Sequence, residues 1–208
     1  MSGRTRLLLA ACGWLCALVC HAAPDFAAEH ASSDARYAAA WVLAGADHQN
    51  LPFAVVDKRD ARIYVFEAGG RLLGTSAVLL GIAPGDFSVG IDRPPAQLTL
   101  AERTTPAGRF EARPGRNDKG EDIVWIDYAA SLALHRLRPA PAQERRPARL
   151  ASPTPEDNRI SAGCVVVPVA FYESIVAPTL GSGRSVVYVL PESHPVRGMF
   201  EALELGLL

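Results

Sequence analysis

The sequence predicts a mainly β domain, an antiparallel, sandwich-like sheet structure with a few short helices, and three observations predict it. From Phe53 the chain breaks into short runs rich in β-branched and aromatic residues: Phe53-Ala-Val-Val-Asp57, Arg62-Ile-Tyr-Val-Phe66 and Leu72 to Leu80. Turn-forming residues separate them, Lys58-Arg59-Asp60 between the first two and Ala68-Gly69-Gly70 between the next two, as in a β-meander. No long alternation of strand and helix follows, which disfavours a doubly wound parallel sheet.

The elements follow in order. Arg4 and Arg6 precede an apolar stretch from Leu7 to Cys20, the layout of a secretory signal, and Cys20-His21-Ala22 places small residues where a signal peptidase cuts. The expected cut is after Ala22, because Pro24 disfavours one after Ala23. The mature, exported chain would then begin near Ala23. As a membrane anchor the stretch is short of the roughly 20 residues a spanning helix needs. Leu9-Ala10-Ala11-Cys12 has the look of a lipoprotein cleavage box but sits too early. Ser33 can cap a helix from Asp34 to Ala46 that puts Tyr37, Ala38, Trp41 and Val42 on one face. Further strands are expected at Gly108 to Ala112, Ile123 to Tyr128, Ser131 to His135, Gly163 to Val167 and Ser185 to Leu190. A short helix, Phe171 to Val176, should stop at Pro178, and a terminal one should run from Pro195 to Leu205. Two long connections interrupt the strands, Gly81 to Pro106 and Arg136 to Asn158. Loops of that length inside a compact domain tend to carry function or to lack order, and the second is placed to form a flap.

Composition excludes several classes of function. With 49% hydrophobic residues, the chain after residue 22 can bury one full core. Losing Arg4 and Arg6 takes the formal charge from −1 to −3, and no basic cluster interleaves with aromatics, so nucleic acid is not an expected partner. The five arginines between Arg136 and Arg149 are diluted by proline and alanine and read as a solvated loop. The histidines lack the spacing and companions of a zinc site, so neither metal nor cofactor is expected. Three of the four cysteines, Cys12, Cys16 and Cys20, lie in the signal. Cys164 is left alone, and no internal disulfide can staple the mature protein.

That lone thiol is the chemical clue. Cys164 follows Gly163 at the mouth of the run Val165-Val-Val167, downstream of a strand that ends in His135. A thiol is only partly ionised at neutral pH, and an imidazole beside it can take its proton and stabilise the thiolate. Gly163, lacking a side chain, permits close approach of a substrate, and the N–H groups of Gly163 and Cys164 can face a developing oxyanion. Each residue also has a structural reading. Free cysteine is among the most buried residue types, His135 can be a satisfied core histidine, and the Ser161 hydroxyl can hydrogen-bond its own turn.

Taken in order, Val55-Val-Asp-Lys58, Ile63-Tyr-Val-Phe66, Gly81, Thr105-Pro-Ala-Gly-Arg-Phe110, His135 and Ser161-Ala-Gly-Cys164 resemble the YkuD-type L,D-transpeptidase domain over residues 51–192. Residues 1–22 are then the signal, 23–50 an N-terminal helical segment and 193–208 a helical tail. The resemblance implies a mostly β fold and acyl transfer on peptidoglycan stem peptides. In such a reaction a cysteine attacks the bond before the terminal D-alanine, and the acyl group passes to an amine. By resemblance Cys164 is the nucleophile, His135 the base, and Ser161 a member of the same pocket.

The sequence departs from the family's usual Ser-His-Gly-Cys followed by an apolar and then a polar residue. Ala162 stands where the second His belongs, Val166 at the polar position, and the interval from His135 to Ser161 is longer than usual. Arg159, just before the motif, is a candidate replacement that would hold a substrate carboxylate bidentately. Three readings follow: a periplasmic cysteine transpeptidase with carboxypeptidase or amidase variants, a catalytically impaired envelope-binding module, and a structural or partner-binding protein on the same sheet.

Overall fold

The computed structural model describes residues 24–26, 29–88, 93 and 95–207. The expected signal segment and its cleavage site lie outside them. No helix among the described residues is long and apolar enough to cross a membrane.

Helix α1 (Ser33–Ala44) leads into strands β1 (Phe53–Asp57), β2 (Arg62–Phe66), β3 (Leu72–Ala77) and β4 (Leu80–Gly81). Then come β5 (Gly108–Arg116), β6 (Asp122–Asp127) and β7 (Leu132–Arg136). After helix α2 (Arg146–Ala151) follow β8 (Arg159–Ser161) and β9 (Val165–Val167). Helix α3 (Val169–Phe171), a π-helical turn (Tyr172–Val176) and α4 (Ala177–Thr179) run on as one segment, before β10 (Ser185–Val189) and α5 (Val196–Glu204).

Eight strands form one mixed sheet in the order β3-β2-β1-β10-β5-β6-β7-β9, and β4 pairs with β8 apart from it. The expectation of a mainly β domain with short helices holds. Within the eight-stranded sheet pairing is antiparallel except at β1–β10 and β7–β9, which are parallel, as is β4–β8. A parallel neighbour needs a crossover of a dozen or more residues. The connection from Arg136 to β9 meets that need, so this long segment is first a crossover.

Strand β5 is longer than its apolar start suggests. Its first half pairs with β10 and its second half, through Pro114, with β6. The sheet is thereby divided into two halves that close on one core, in which Val56 and Val65 from one half meet Leu134 and Val165 from the other. Strand β1 is buried on both faces, because Phe53 and Val55 point to a second core under α1 and α5. Each aliphatic side chain fully buried here contributes about 1.5–3 kcal/mol.

Local details correct several expectations. Ser32, not Ser33, caps α1, its Oγ accepting from Ala35 N–H at 2.9 Å. Of the predicted helix face Ala38 and Val42 are buried, while Tyr37 and Trp41 pack half-buried against the second core. Pro178 does not stop its helix. Its ring and missing N–H would disrupt ordinary α bonding, and the widened π turn just before it carries the chain past, with Gly181 N–H donating to Val176 C=O at 3.0 Å. Strand β8 has too short an apolar run to register in the sequence.

The strongest polar constraint was hidden in a turn. Lys58, between β1 and β2, is fully buried, and its ammonium donates to Gly85 C=O (2.5 Å), Thr105 C=O (2.8 Å) and Asp86 Oδ1 (2.9 Å). Glu192 Oε1 lies 3.4 Å away. Burial pulls the Lys58 ammonium below its usual range, opposed chiefly by Asp86. Burial alone would raise the Asp86 carboxyl. Hydrogen bonds from Glu192 N–H, Lys58 and His194 reverse this and hold it well below the carboxylate range. This cluster pins the 81–106 connection to the ends of β1 and β10.

Removing one partner of such a cluster strands buried charge. Lys58→Ala should cost about 3–5 kcal/mol of unfolding free energy, measured by urea denaturation. A loss below about 1 kcal/mol would show that the cluster is not a constraint.

Candidate active site

The Cys164 turn is built from the network outward. Thr105 is fully buried; its hydroxyl accepts from Gly81 N–H at 2.9 Å and donates to Gly163 C=O at 2.7 Å. Because Lys58 holds the Thr105 carbonyl, one continuous polar chain runs from the buried ammonium to the residue before the thiol. Gly163 adopts φ +134°, and a Cβ there would sit 2.8 Å from the Thr104 carbonyl oxygen, so no larger residue fits without moving the backbone.

Ser161 completes the turn rather than facing a substrate. Its hydroxyl donates to Cys164 C=O at 2.7 Å and accepts from Gly163 N–H at 3.1 Å, and the residue is buried. This corrects the expectation of a Gly163 N–H free for an oxyanion, since that donor is already engaged.

Cys164 and His135 come together on neighbouring parallel strands. The register Leu134↔Val165 and His135↔Val166 puts Cys164 just before β9, level with the residue before Leu134. Both line a cleft of about 430 Å³, together with Trp125, Tyr128 and Arg138. A smaller hollow on the far side of Cys164 is lined by Ser88, Leu98 and Glu102 from the 81–106 connection. The structure does not bring Arg159 to either space. Its guanidinium grips Glu192 (2.5 and 3.3 Å) and Lys58 C=O (3.0 Å) in the network behind the turn.

His135 is buried, and its Nδ1 lies 2.8 Å from Arg136 C=O. A carbonyl oxygen can only accept, so Nδ1 carries the proton and Nε2 is left with its lone pair. Burial, reinforced by the charges of Arg138 and Arg146 and opposed by the Arg136 hydrogen bond, lowers the imidazole pKa to about 4. At neutral pH this histidine is an uncharged base.

Cys164 is partly buried, and its thiol donates to Ser131 C=O at 3.6 Å. Burial raises the thiol pKa; the Ala133 backbone and the Arg138 charge offset part of that. The resting site therefore pairs a neutral thiol with a neutral imidazole, not a thiolate with an imidazolium. Ser131 holds φ +52°, a conformation uncommon outside glycine, and so presents its carbonyl to the sulfur.

Sequence reasoning missed Arg138, Trp125 and Tyr128. Tyr128 is 77% exposed and stands edge-on to Trp125 at 5.0 Å. A signal existed for Trp125: Gly115 on the adjacent strand leaves room for the indole, which a Cβ at Gly115 would meet at 2.4 Å. Arg138 carried none, being one arginine among five in a proline-rich stretch.

Neither a protein-family model nor a curated protein sequence matches the chain. Solved structures do. The catalytic domain of the L,D-transpeptidase from E. faecium is 16% identical, with 67% of this chain and 96% of that one covered at a TM-score of 0.39. The Ldtfm–avibactam carbamoyl enzyme is 14% identical over 68% of this chain and 49% of that one, TM-score 0.42. The helical cell shape determining protein from Campylobacter jejuni is 14% identical over 70% and 48%, TM-score 0.43. The chain thus spans about half the length of the last two.

The hydroxyl of Thr105 can be tested against its methyl group. Thr105→Val should leave Gly81 N–H and Gly163 C=O buried and unpaired, at about 1–3 kcal/mol each, whereas Thr105→Ser keeps both bonds. Chemical denaturation of the two variants should place Ser well above Val in stability. Equal losses would mean that packing, not hydrogen bonding, holds the turn.

Proposed function

We propose that this protein is a periplasmic cysteine acyltransferase of the L,D-transpeptidase type, acting on peptidoglycan stem peptides. The observation that carries the reading is the placing of Cys164 and a neutral, Nδ1-tethered His135 in one cleft, the arrangement that nucleophilic acyl transfer requires. The ordered motifs from Val55 to Cys164 supply the substrate class by resemblance.

The chemistry follows from the protonation states. The thiol proton, held at Ser131 C=O in the resting state, passes to Nε2 of His135 as the sulfur attacks the carbonyl carbon of the stem peptide. Collapse of the tetrahedral adduct breaks the C–N bond to the terminal D-amino acid, whose amine takes that proton from the imidazolium. An acceptor amine, or water in a carboxypeptidase variant, then attacks the thioester with His135 again as base. The neutral base removes the need for a preformed ion pair.

A second reading has its own support. The raised thiol pKa, the thiol's bond to Ser131 in place of His135, and the absence of a polar side chain at Ala162 and Val166 favour a catalytically impaired peptidoglycan-binding module. Incubation with purified tetrapeptide muropeptides separates the two. Cross-linked dimers or tripeptides are the expected products, and intact mass should show a thioester adduct on Cys164 that Cys164→Ala abolishes. Unchanged muropeptides bound without adduct would establish the binding module.

His135→Gln should lower acylation about 10²- to 10⁴-fold. The pH dependence has a definite sign. A base with a pKa of about 4 works only unprotonated, so acylation should hold as pH falls from neutrality and decline only as pH approaches 4. A decline centred near pH 6.5 would contradict the neutral-base mechanism.

A further inference from the structure

We propose that Arg138 is a carboxylate-binding residue of the Cys164 cleft, selecting ligands that carry a carboxylate close to the carbon the thiol attacks. The anion site stands on geometry; only the identity of its ligand, the free C-terminus of an acyl donor, rests on the acyl-transfer reading.

Arg138 lines the cleft that holds Cys164 and His135, with its side chain 29% exposed. Its Nε lies 2.8 Å from Glu121 Oε2, and Glu121 is itself held by Asn117, whose side-chain amide donates to that carboxylate at 2.7 Å. That carboxylate pairs with the guanidinium by charge, although the Nε–H makes no hydrogen bond. Among the described residues nothing hydrogen-bonds to its terminal Nη groups, so the fork that suits a carboxylate is unused.

The other charged groups lining the cleft are Arg116 and Asp118. Arg116 is 73% exposed and faces Asp122 at 3.2 Å, so it is solvated and already paired. Asp118 repels an anion, which leaves Arg138 as the lining cation suited to hold one. Strand β9 offers nothing there, because Val166 is apolar and buried. Arg159, the sequence's candidate for this task, is taken up by Glu192. The cation therefore comes from the start of the crossover after β7.

Two alkylating reagents of nearly equal size measure this directly. Iodoacetate carries a carboxylate and iodoacetamide does not, and both attack the same thiolate, so any change in thiol ionisation cancels in the ratio of their rates. On the full folded chain, mass spectrometry should give an iodoacetate-to-iodoacetamide ratio at Cys164 at least about fivefold above that of free cysteine. Arg138→Gln should return it to the free-cysteine value, and Arg138→Lys, which keeps charge but not the fork, should fall between. A wild-type ratio equal to that of free cysteine, or one unchanged in Arg138→Gln with Arg138→Lys folded alongside, overturns the proposal. Stem peptides with free and amidated C-termini then link the site to acyl transfer. If neither is turned over, the acyl-transfer reading fails while the alkylation ratio still decides the anion site.

Discussion

The site depends on one buried ammonium. Lys58 is taken out of water at the end of β1 and must satisfy three donors, which it does with the carbonyls of Gly85 and Thr105 and the carboxylate of Asp86. These acceptors all come from the 81–106 connection, so burying the lysine and ordering that connection are a single event. Thr105 then passes the constraint on, through its hydroxyl, to Gly163. Glu192 serves the same cluster from beyond β10 and draws in Arg159. A buried ion pair is weak evidence for net stability, since desolvation offsets attraction. Its effect here is specificity: few other arrangements of the connection leave no charge unpaired.

That constraint explains why the Cys164 turn tolerates its strain. A glycine at positive φ against the Thr104 carbonyl, and Ser131 in a left-handed conformation under the sulfur, persist only where their surroundings over-determine them. The turn is closed by Ser161, the strand beyond it is locked between β7 and Leu79, and the thiol is left at the junction of two hollows. Burial favours the uncharged forms of both thiol and imidazole. The same burial slows adventitious alkylation or oxidation of the free cysteine.

Much of the framework was legible because it rests on local signals. Strands β1 and β2 were read with their observed bounds, since β-branched runs end at turn-forming residues and nothing distant overrides them. Cys164 and His135 could be singled out by residue type and order. What could not be read depends on contacts distant in sequence. Lys58 in a three-residue turn reads as solvated until Asp86 is known to fold back on it. Arg159, expected at the substrate, is held instead by Glu192, far along the chain, and Arg138, read as part of a solvated loop, lines the Cys164 cleft. The parallel pairing of β7 with β9 is set by a crossover whose composition looks like loop, and the oxyanion role expected of Gly163 N–H gives way to a hydrogen bond that it donates to the Ser161 hydroxyl.

The central claim is that the base beside Cys164 is a neutral imidazole protonated on Nδ1. Nitrogen-15 NMR of the His135 ring across a pH titration tests it most directly, because the two ring nitrogens of a neutral tautomer are well separated in shift. The account predicts the Nδ1–H tautomer at pH 7, with a midpoint near pH 4. An imidazolium at pH 7, or the Nε2–H tautomer, would contradict it.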